Sequence, residues 1–306
     1  MIMNHKVKRR DFLRIIGGLS IGSLFPPYMK LLADASLDLP EMVISEGKDP
    51  FKITLRAIEG LGGMKRFVKR GDVVVIKPNI GWDRTPEQAA NTNPDVVKAA
   101  VIMCFDAEAK KVKIFDRSVN DPRRCYMRSG IFDTVKDTGA ELSHIDPRKF
   151  KEVSIKGEYL KTWPVYQDIL ESDTIINIPI AKDHSTALLT MAMKNWMGVI
   201  GGNRGWLHND IDRSLADLAM AIKPTLTILD AYRILVDNGP SGGDLGDVRL
   251  KETVIAGVDQ VAVDSYGATL FDLKGEDLGY VKIASERGIG NMDLSKIKIK
   301  RVQSIS

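Results

Sequence analysis

Asp72-Val73-Val74-Val75-Ile76-Lys77-Pro78-Asn79 decides the fold: four successive β-branched apolar residues stop abruptly at a charge, a proline and an amide. A run that is apolar at every position, not at alternate ones, makes a strand buried on both faces, as in a parallel sheet covered by helices. Upstream, Phe51, Leu55, Ile58, Leu61 and Met64 have helical spacing over residues 49–69, which run into Gly71. Downstream the pattern repeats. An apolar helix over 94–107 leads into a strand over 111–115 that ends at Asp116-Arg117-Ser118. A helix over 130–138 leads to a short strand over 141–145. Further strands cover 173–180, ending in Ala181-Lys182-Asp183-His184, then 225–229, ending in Asp230, and 252–256, ending near Asp259.

Apolar strands alternating with helices predict an α/β fold: a doubly wound, mainly parallel sheet with helices on both faces. Residues 36–306 are read as a single α/β domain, long enough to bury a large core. Such sheets bind ligands beyond the carboxyl ends of their strands. Lys77, Asn79, Asp116 to Ser118, Lys182, His184, Asp230 and Asp259 all follow strands, so they are expected to crowd one edge. Any one of them is explained as the point where solvent begins; the set points to a lined pocket.

The segment 182–212 is the most unusual. Ser185 is expected to cap a helix over 186–196, with Leu188, Leu189, Ala192 and Trp196 on one side. Lys194-Asn195 then precedes a glycine-containing loop, Met197 to Gly205, which leads to His208 and Asp210. Glycines let backbone amides approach an anion, and they also make plain flexible connections. Lys182, His184, Lys194, Asn195, Arg204, His208 and Asp210 in one segment favour the first account. A second glycine-rich loop, Asn238 to Asp247, contains Asp244 and Asp247 but no full calcium-loop pattern. Asp259 is a natural N-cap for the helix that follows, and Asp264 must face water, a partner or a site.

Taken in order, Val74-Val75-Ile76-Lys77-Pro78-Asn79, Lys182-x-His184, Lys194-Asn195-Trp196-Met197-Gly198, His208, Asp230, Asn238-Gly239-Pro240 and Asp259-x-Val261-Ala262-Val263-Asp264 resemble the domain of unknown function 362 family. The likeness runs from about Gly71 to Leu273. It implies the same polar strand ends as the sheet argument, and it implies no settled activity. Relatives fused to cysteine-rich ferredoxin-type modules imply redox associations that this chain, with two cysteines, does not carry.

Several chemistries lack their motif: there is no GxGxxG after the first strand, no GxxxxGK[ST] and no GxSxG. The candidate catalytic residues are His184, His208, Lys182 and Lys194. The candidate substrate-binding residues are Lys77, Asn79, Asn195, Arg204, Asp230 and Asp264, facing a small anionic molecule. Two readings of the histidines stand side by side. In one, His184 or His208 transfers a proton while lysines hold a carboxylate or phosphate. In the other, His184, His208 and Asp210 hold a divalent metal through mixed nitrogen and oxygen ligands, although no HExxH-type spacing is present. A pair such as Lys194 with Asp230 also reads as an internal salt bridge. His144 reads as structural or surface. The expected function is an enzyme acting on a small anionic substrate, metal-assisted in the second reading; the alternatives are a non-catalytic ligand-binding or redox-accessory protein of the cell envelope and a purely structural assembly protein.

Lys8-Arg9-Arg10-Asp11-Phe12-Leu13-Arg14, a short apolar stretch to Phe25 and Ala33-Asp34-Ala35 form the layout of a twin-arginine signal peptide over residues 1–35. Export by that machinery, to the periplasm or the outer face of the cytoplasmic membrane, is therefore expected, with no stable membrane span in the mature chain. Six of the 44 basic and two of the 40 acidic side chains lie in that leader, so the remainder has zero formal charge. This gives no support for nucleic-acid binding. Cys104 and Cys125 are too few for an iron–sulfur cluster ligated by this chain alone, and Cys104, in an apolar run, reads as a buried thiol more than as half of a disulfide.

Overall fold

A computed structural model describes residues 39–303. The leader expected over 1–35 lies outside the described residues. The strands are β1 Met42–Glu46, β2 Val73–Pro78, β3 Lys111–Ile114, β4 Glu141–Leu142, β5 Phe150–Ser154, β6 Thr162–Tyr166, β7 Thr174–Ile178, β8 Ile180–His184, β9 Leu188–Thr190, β10 Leu226–Leu235, β11 Val248–Gly257 and β12 Ile299–Gln303. The helices are α1 Pro50–Gly60, α2 Pro94–Asp106, α3 Pro122–Arg128, α4 Ile131–Val135, α5 Gln167–Glu171, α6 Ala192–Asn195, α7 Ile211–Ala221, α8 Gln260–Ala268 and α9 Gly279–Glu286. Residues from Pro40 onward group into one compact unit.

The main sheet has the order β12-β1-β11-β10-β7-β2-β3-β4, with β8 beside β10 and β9 beside β8. It is mixed and mostly parallel: β10, β7, β2, β3 and β4 run parallel in succession. Both faces are covered. Val74, Ile76, Val112 and Ile114 point into a core with α1 and α2. Val75, Phe115 and Ile255 point to the opposite core with α7, α8 and α9. Side chains alternate along a strand, so Lys77 leaves β2 on the same face as Val75. A hairpin of β5 and β6 forms a separate two-stranded sheet.

Local sequence explains the long helices. Asp49 accepts the N–H of Lys52 at 3.1 Å ahead of Pro50, and Asn93 accepts that of Asp95 at 2.9 Å ahead of Pro94. Asp259 accepts the N–H groups of Val261 and Ala262, the cap expected from sequence. Cys104 and Cys125 are buried free thiols. No helix among the described residues is long and apolar enough to cross a membrane.

Three expectations change. The strand expected over 173–180 breaks at Pro179 into β7 and β8, and β8 shifts its pairing to β10. β11 is antiparallel to both β1 and β10. Its carboxyl end therefore lies at the opposite edge of the sheet, and Asp259 joins that edge. The helix expected over 186–196 is instead a hairpin followed by one turn. Leu188 has a φ of 58°, which a continuous right-handed helix cannot include. Chain 188–190 pairs back on β8, and only Ala192–Asn195 is helical. Ser185 caps nothing; the carboxylate of Asp264 accepts the N–H groups of Ala192 and Met193 at 2.6 and 3.0 Å.

Candidate functional site

The carboxyl ends of β2, β3 and β8 meet α6 and two short 3-10 segments, Trp196–Val199 and Arg204–Asp210, around a cavity of about 430 Å³. β2 supplies Lys77, with Asn79 just beyond it, and β8 supplies Lys182 and His184. Asp116 and Arg117 follow β3, Lys194 and Asn195 lie on α6, and Arg204 and His208 lie on the second 3-10 segment. Eight residues singled out from sequence thus share one cavity: Lys77, Asn79, Lys182, His184, Lys194, Asn195, Arg204 and His208.

A buried amide ties the strands to α6. Asn195 Oδ1 accepts from Lys77 Nζ at 2.5 Å and from Asn79 Nδ2 at 3.3 Å, while its Nδ2 donates to Lys77 O at 3.1 Å and Asn177 Oδ1 at 2.8 Å. Lys77 Nζ also stands 3.0 Å from Asp116 Oδ1, both side chains being almost wholly buried. That contact is a charge pair without hydrogen-bond alignment, since Asp116 Oδ1 has no hydrogen-bond partner among the described residues. Asp116 Oδ2 accepts the N–H of Ile80 at 2.6 Å. Gly198 lies over the pair: a Cβ there would fall onto Asp116 Oδ1 and against Lys77 Nζ, so only glycine lets the turn close.

The remaining cations of the cavity pair with no carboxylate among the described residues. Lys182 Nζ donates to Ala90 O at 2.6 Å, Pro240 O at 3.0 Å and Asn79 Oδ1 at 3.4 Å, and it lies over the Trp82 ring. Arg204 donates to the carbonyls of Arg117, Met197 and Ser118, and Arg117 to those of Ile200 and Gly202. Among the described residues Lys194 Nζ has only the Met197 thioether sulfur as a hydrogen-bond partner, at 3.6 Å. Five basic side chains therefore face the cavity with one carboxylate, Asp116, among them.

This imbalance shifts the titrations. Burial lowers Lys77 to about 8, against the pull of Asp116. Burial, with Arg204 and Lys77 nearby, lowers Lys194 to about 7. Burial, then Lys194, holds Lys182 well below the usual lysine range. His184 is pushed down to about 3 by burial, then by Lys194, His208 and Lys182. Its Nδ1 accepts the N–H groups of Thr186 at 3.2 Å and Ala187 at 3.3 Å. The neutral ring therefore carries its proton on Nε2. His208, exposed at the mouth, stacks on His184 with centroids 5.8 Å apart, and burial also lowers its pKa.

The acidic residues singled out from sequence stand outside this lining. Asp230 is buried, accepts the N–H groups of Asn93 at 2.7 Å and Tyr232 at 3.0 Å, and so anchors the start of α2, without a bond to Lys194. Asp264 caps α6. Asp210 caps α7 and pairs with Arg213. Among the described residues no three His, Cys, Asp or Glu side chains are grouped to hold a metal ion. To bind a metal through Nε2, His184 would have to carry its proton on Nδ1, against the two amide N–H groups that now donate there, and the surrounding cations would repel a divalent ion. The donor set does not fit a metal. His144 is exposed and packs edge-on against Tyr126.

Sequence reasoning placed Asp116 and Arg117 at the right edge without choosing them, and missed Trp82, Gly198 as the cover of the ion pair, and Pro240 as an acceptor for Lys182. The strand-end rule pointed to the first two; Gly198 and Pro240 stand in the family motifs without a role assigned, and nothing local marks Trp82.

The family model described as domain of unknown function, DUF362, matches residues 74–269, well over half of the chain. A thylakoid-associated protein of Synechocystis is 28% identical over 201 residues, which cover 63% of this chain and 62% of that protein. The chain thus spans less than two thirds of that relative's length. Among solved structures, the lactate racemase apoprotein of Thermoanaerobacterium thermosaccharolyticum superposes with a TM-score of 0.45 at 10% identity, covering 72% of this chain and 55% of that one. A Thermotoga maritima protein superposes with a TM-score of 0.45 at 12% identity, covering 79% and 60%.

Proposed function

The chain belongs to the DUF362 family, which brings it a set of motifs and no activity, and from its cavity we propose an enzyme that acts on a small anionic substrate of the carboxylate or phosphate class. One observation carries the reading: five basic side chains and a single carboxylate converge on a half-open cavity of a small molecule's size. Buried cations without counter-charges are costly, and a bound anion removes that cost. The guanidinium groups of Arg117 and Arg204 hold the anion, and His184 donates from Nε2–H as a neutral ring. The proton-transfer role suits Lys194 better than His184, because a group that titrates near 7 is half protonated at neutral pH while one near 3 is not. A divalent metal is not needed for this chemistry.

The twin-arginine pattern of Lys8 to Arg14 supports an exported protein of the cell envelope. Fractionation of cells that express the wild type and an Arg9→Lys/Arg10→Lys pair tests this; equal distribution of the two would overturn it.

The functional reading is tested by calorimetric titration of the purified protein with sulfate, phosphate, lactate, pyruvate and malonate, beside Arg204→Gln. Micromolar to millimolar binding that weakens at least tenfold in the variant supports an anion site. No binding of any anion overturns it, and tight retention with no turnover of any bound compound would favour a carrier.

A further inference from the structure

We propose that Lys194 is a Schiff-base nucleophile whose amine condenses with the carbonyl carbon of a small oxo acid held by its anionic group in the same cavity. The proposal rests on the anionic-substrate reading and adds the reacting function of the substrate.

Three lysines reach the cavity, and their surroundings divide them. Lys77 is committed to Asn195 and Asp116, and Lys182 to three oxygen acceptors. An ammonium held in this way has no lone pair to offer. Lys194 is only 8% exposed, lines the cavity, and among the described residues contacts no oxygen acceptor, only a thioether sulfur. Arg204, Lys77, Lys182 and His184 all lie close enough to influence its charge or to be influenced by it. A protonated Lys194 there adds repulsion and gains no bond; a neutral amine relieves the repulsion and frees its lone pair. Holding an anion calls for neither change, since among the described residues Arg204 and Arg117 donate only to backbone carbonyls and keep charged N–H groups for that task.

The anchor of Lys194 is also rigid. α6 is fixed at its start by Asp264 and at its end by the Asn195 amide, so the amine is presented without a flexible loop. The step balances without an outside reagent. The amine nitrogen attacks the carbonyl carbon, the N–C bond forms, and the C–O bond breaks. The oxygen leaves as water with the two protons of the neutral amine, and the imine nitrogen takes up one proton from solvent to become the charged iminium. His184 Nε2–H is a donor for the carbonyl oxygen as negative charge develops there.

The test treats the whole protein with pyruvate and sodium borohydride near pH 7, then maps reduced adducts by peptide mass spectrometry. Lactate, the same anion without a carbonyl, serves as competitor. The expected result is a borohydride-dependent adduct at Lys194, on the order of a hundredfold above any surface lysine because far more of its amine is neutral. Lactate suppresses it, and Lys194→Arg abolishes it while still binding lactate. Pyruvate that binds by calorimetry yet leaves no preferential adduct at Lys194 overturns the Schiff base and leaves the anion site standing. Failure of pyruvate and lactate to bind while sulfate or phosphate binds overturns the Schiff base alone, and failure of every anion overturns the two together.

Discussion

The carboxylate of Asp264, on α8, accepts the backbone N–H of Ala192 at 2.6 Å, and so caps the short helix that carries Lys194 from 72 residues further along the chain. A helix of one turn has almost no stability of its own, so this bond fixes the height of Lys194 in the cavity. Asp264→Asn leaves one of the two amides facing an NH2 group. It is expected to destabilise the protein by about 2–4 kcal/mol in denaturant titrations and to weaken anion binding at a residue that never touches the ligand.

The same carboxyl gives a pH test. Burial raises Asp264 to about 7 despite its two amide donors. A raised acid pKa means that the folded protein holds a proton which the unfolded chain, near 4, has lost. Unfolding therefore releases protons between about pH 4 and 7, and stability falls as pH rises through that window. Asp230, raised to about 6 by burial, acts in the same direction. The stability deficit of Asp264→Asn relative to wild type should therefore shrink from pH 4 to pH 7; an unchanged deficit would show that the amides keep Asp264 ionised throughout.

Gly198→Ala tests the cover of the Lys77–Asp116 pair. Its methyl group would displace both partners of a buried ion pair. The expected cost is roughly 3–5 kcal/mol, as for a buried pair broken by the loss of one partner, with anion binding lost at the same time. A melting temperature within a degree of wild type would mean that the turn over the pair is free to lift.

Much of this arrangement was legible because it depends on local chemistry. The apolar run before Lys77 could only be a strand buried on both faces, and parallel strands bring their polar ends to one edge. That placed Lys77, Asn79, Lys182 and His184 together, and the density of polar residues over 182–212 added Lys194 and Arg204. What stayed hidden depends on partners distant in sequence. Leu188, Leu189, Ala192 and Trp196 have helical spacing, yet β8 offered chain 188–190 a strand partner and Asp264 offered Ala192 a cap. The apolar half of β11 looks like that of a parallel strand, since burial on both faces leaves no mark of direction. Asp230 and Asp264 share the acidic look of ligands, and only the amides beside them show that they hold backbone.

Anion affinity should fall as pH rises from 6.5 to 8.5. Lys194 and Lys77, lowered to about 7 and about 8, lose their charges across that range, and an anion favours the charged forms. Sulfate is a suitable probe because it does not itself titrate there. The limiting slope is about tenfold per pH unit for each ammonium that must regain a proton, and binding takes up protons from buffer. His184 contributes nothing over this range, so His184→Gln lowers affinity without changing the slope.

Lys194→Met separates holding the fold from serving the ligand. The side chains are similar in length, and the change removes a buried amine whose one hydrogen-bond partner among the described residues is the Met197 sulfur. Replacing an unpaired buried charge by an apolar group relieves desolvation and repulsion together, so the variant without ligand should melt higher than wild type, by roughly 2–4 °C for each kcal/mol gained. Had Lys194 been a structural cation, the same change would lower the melting temperature. A rise accompanied by loss of pyruvate trapping would mean that the folded chain tolerates an unfavourable amine because the reaction needs one.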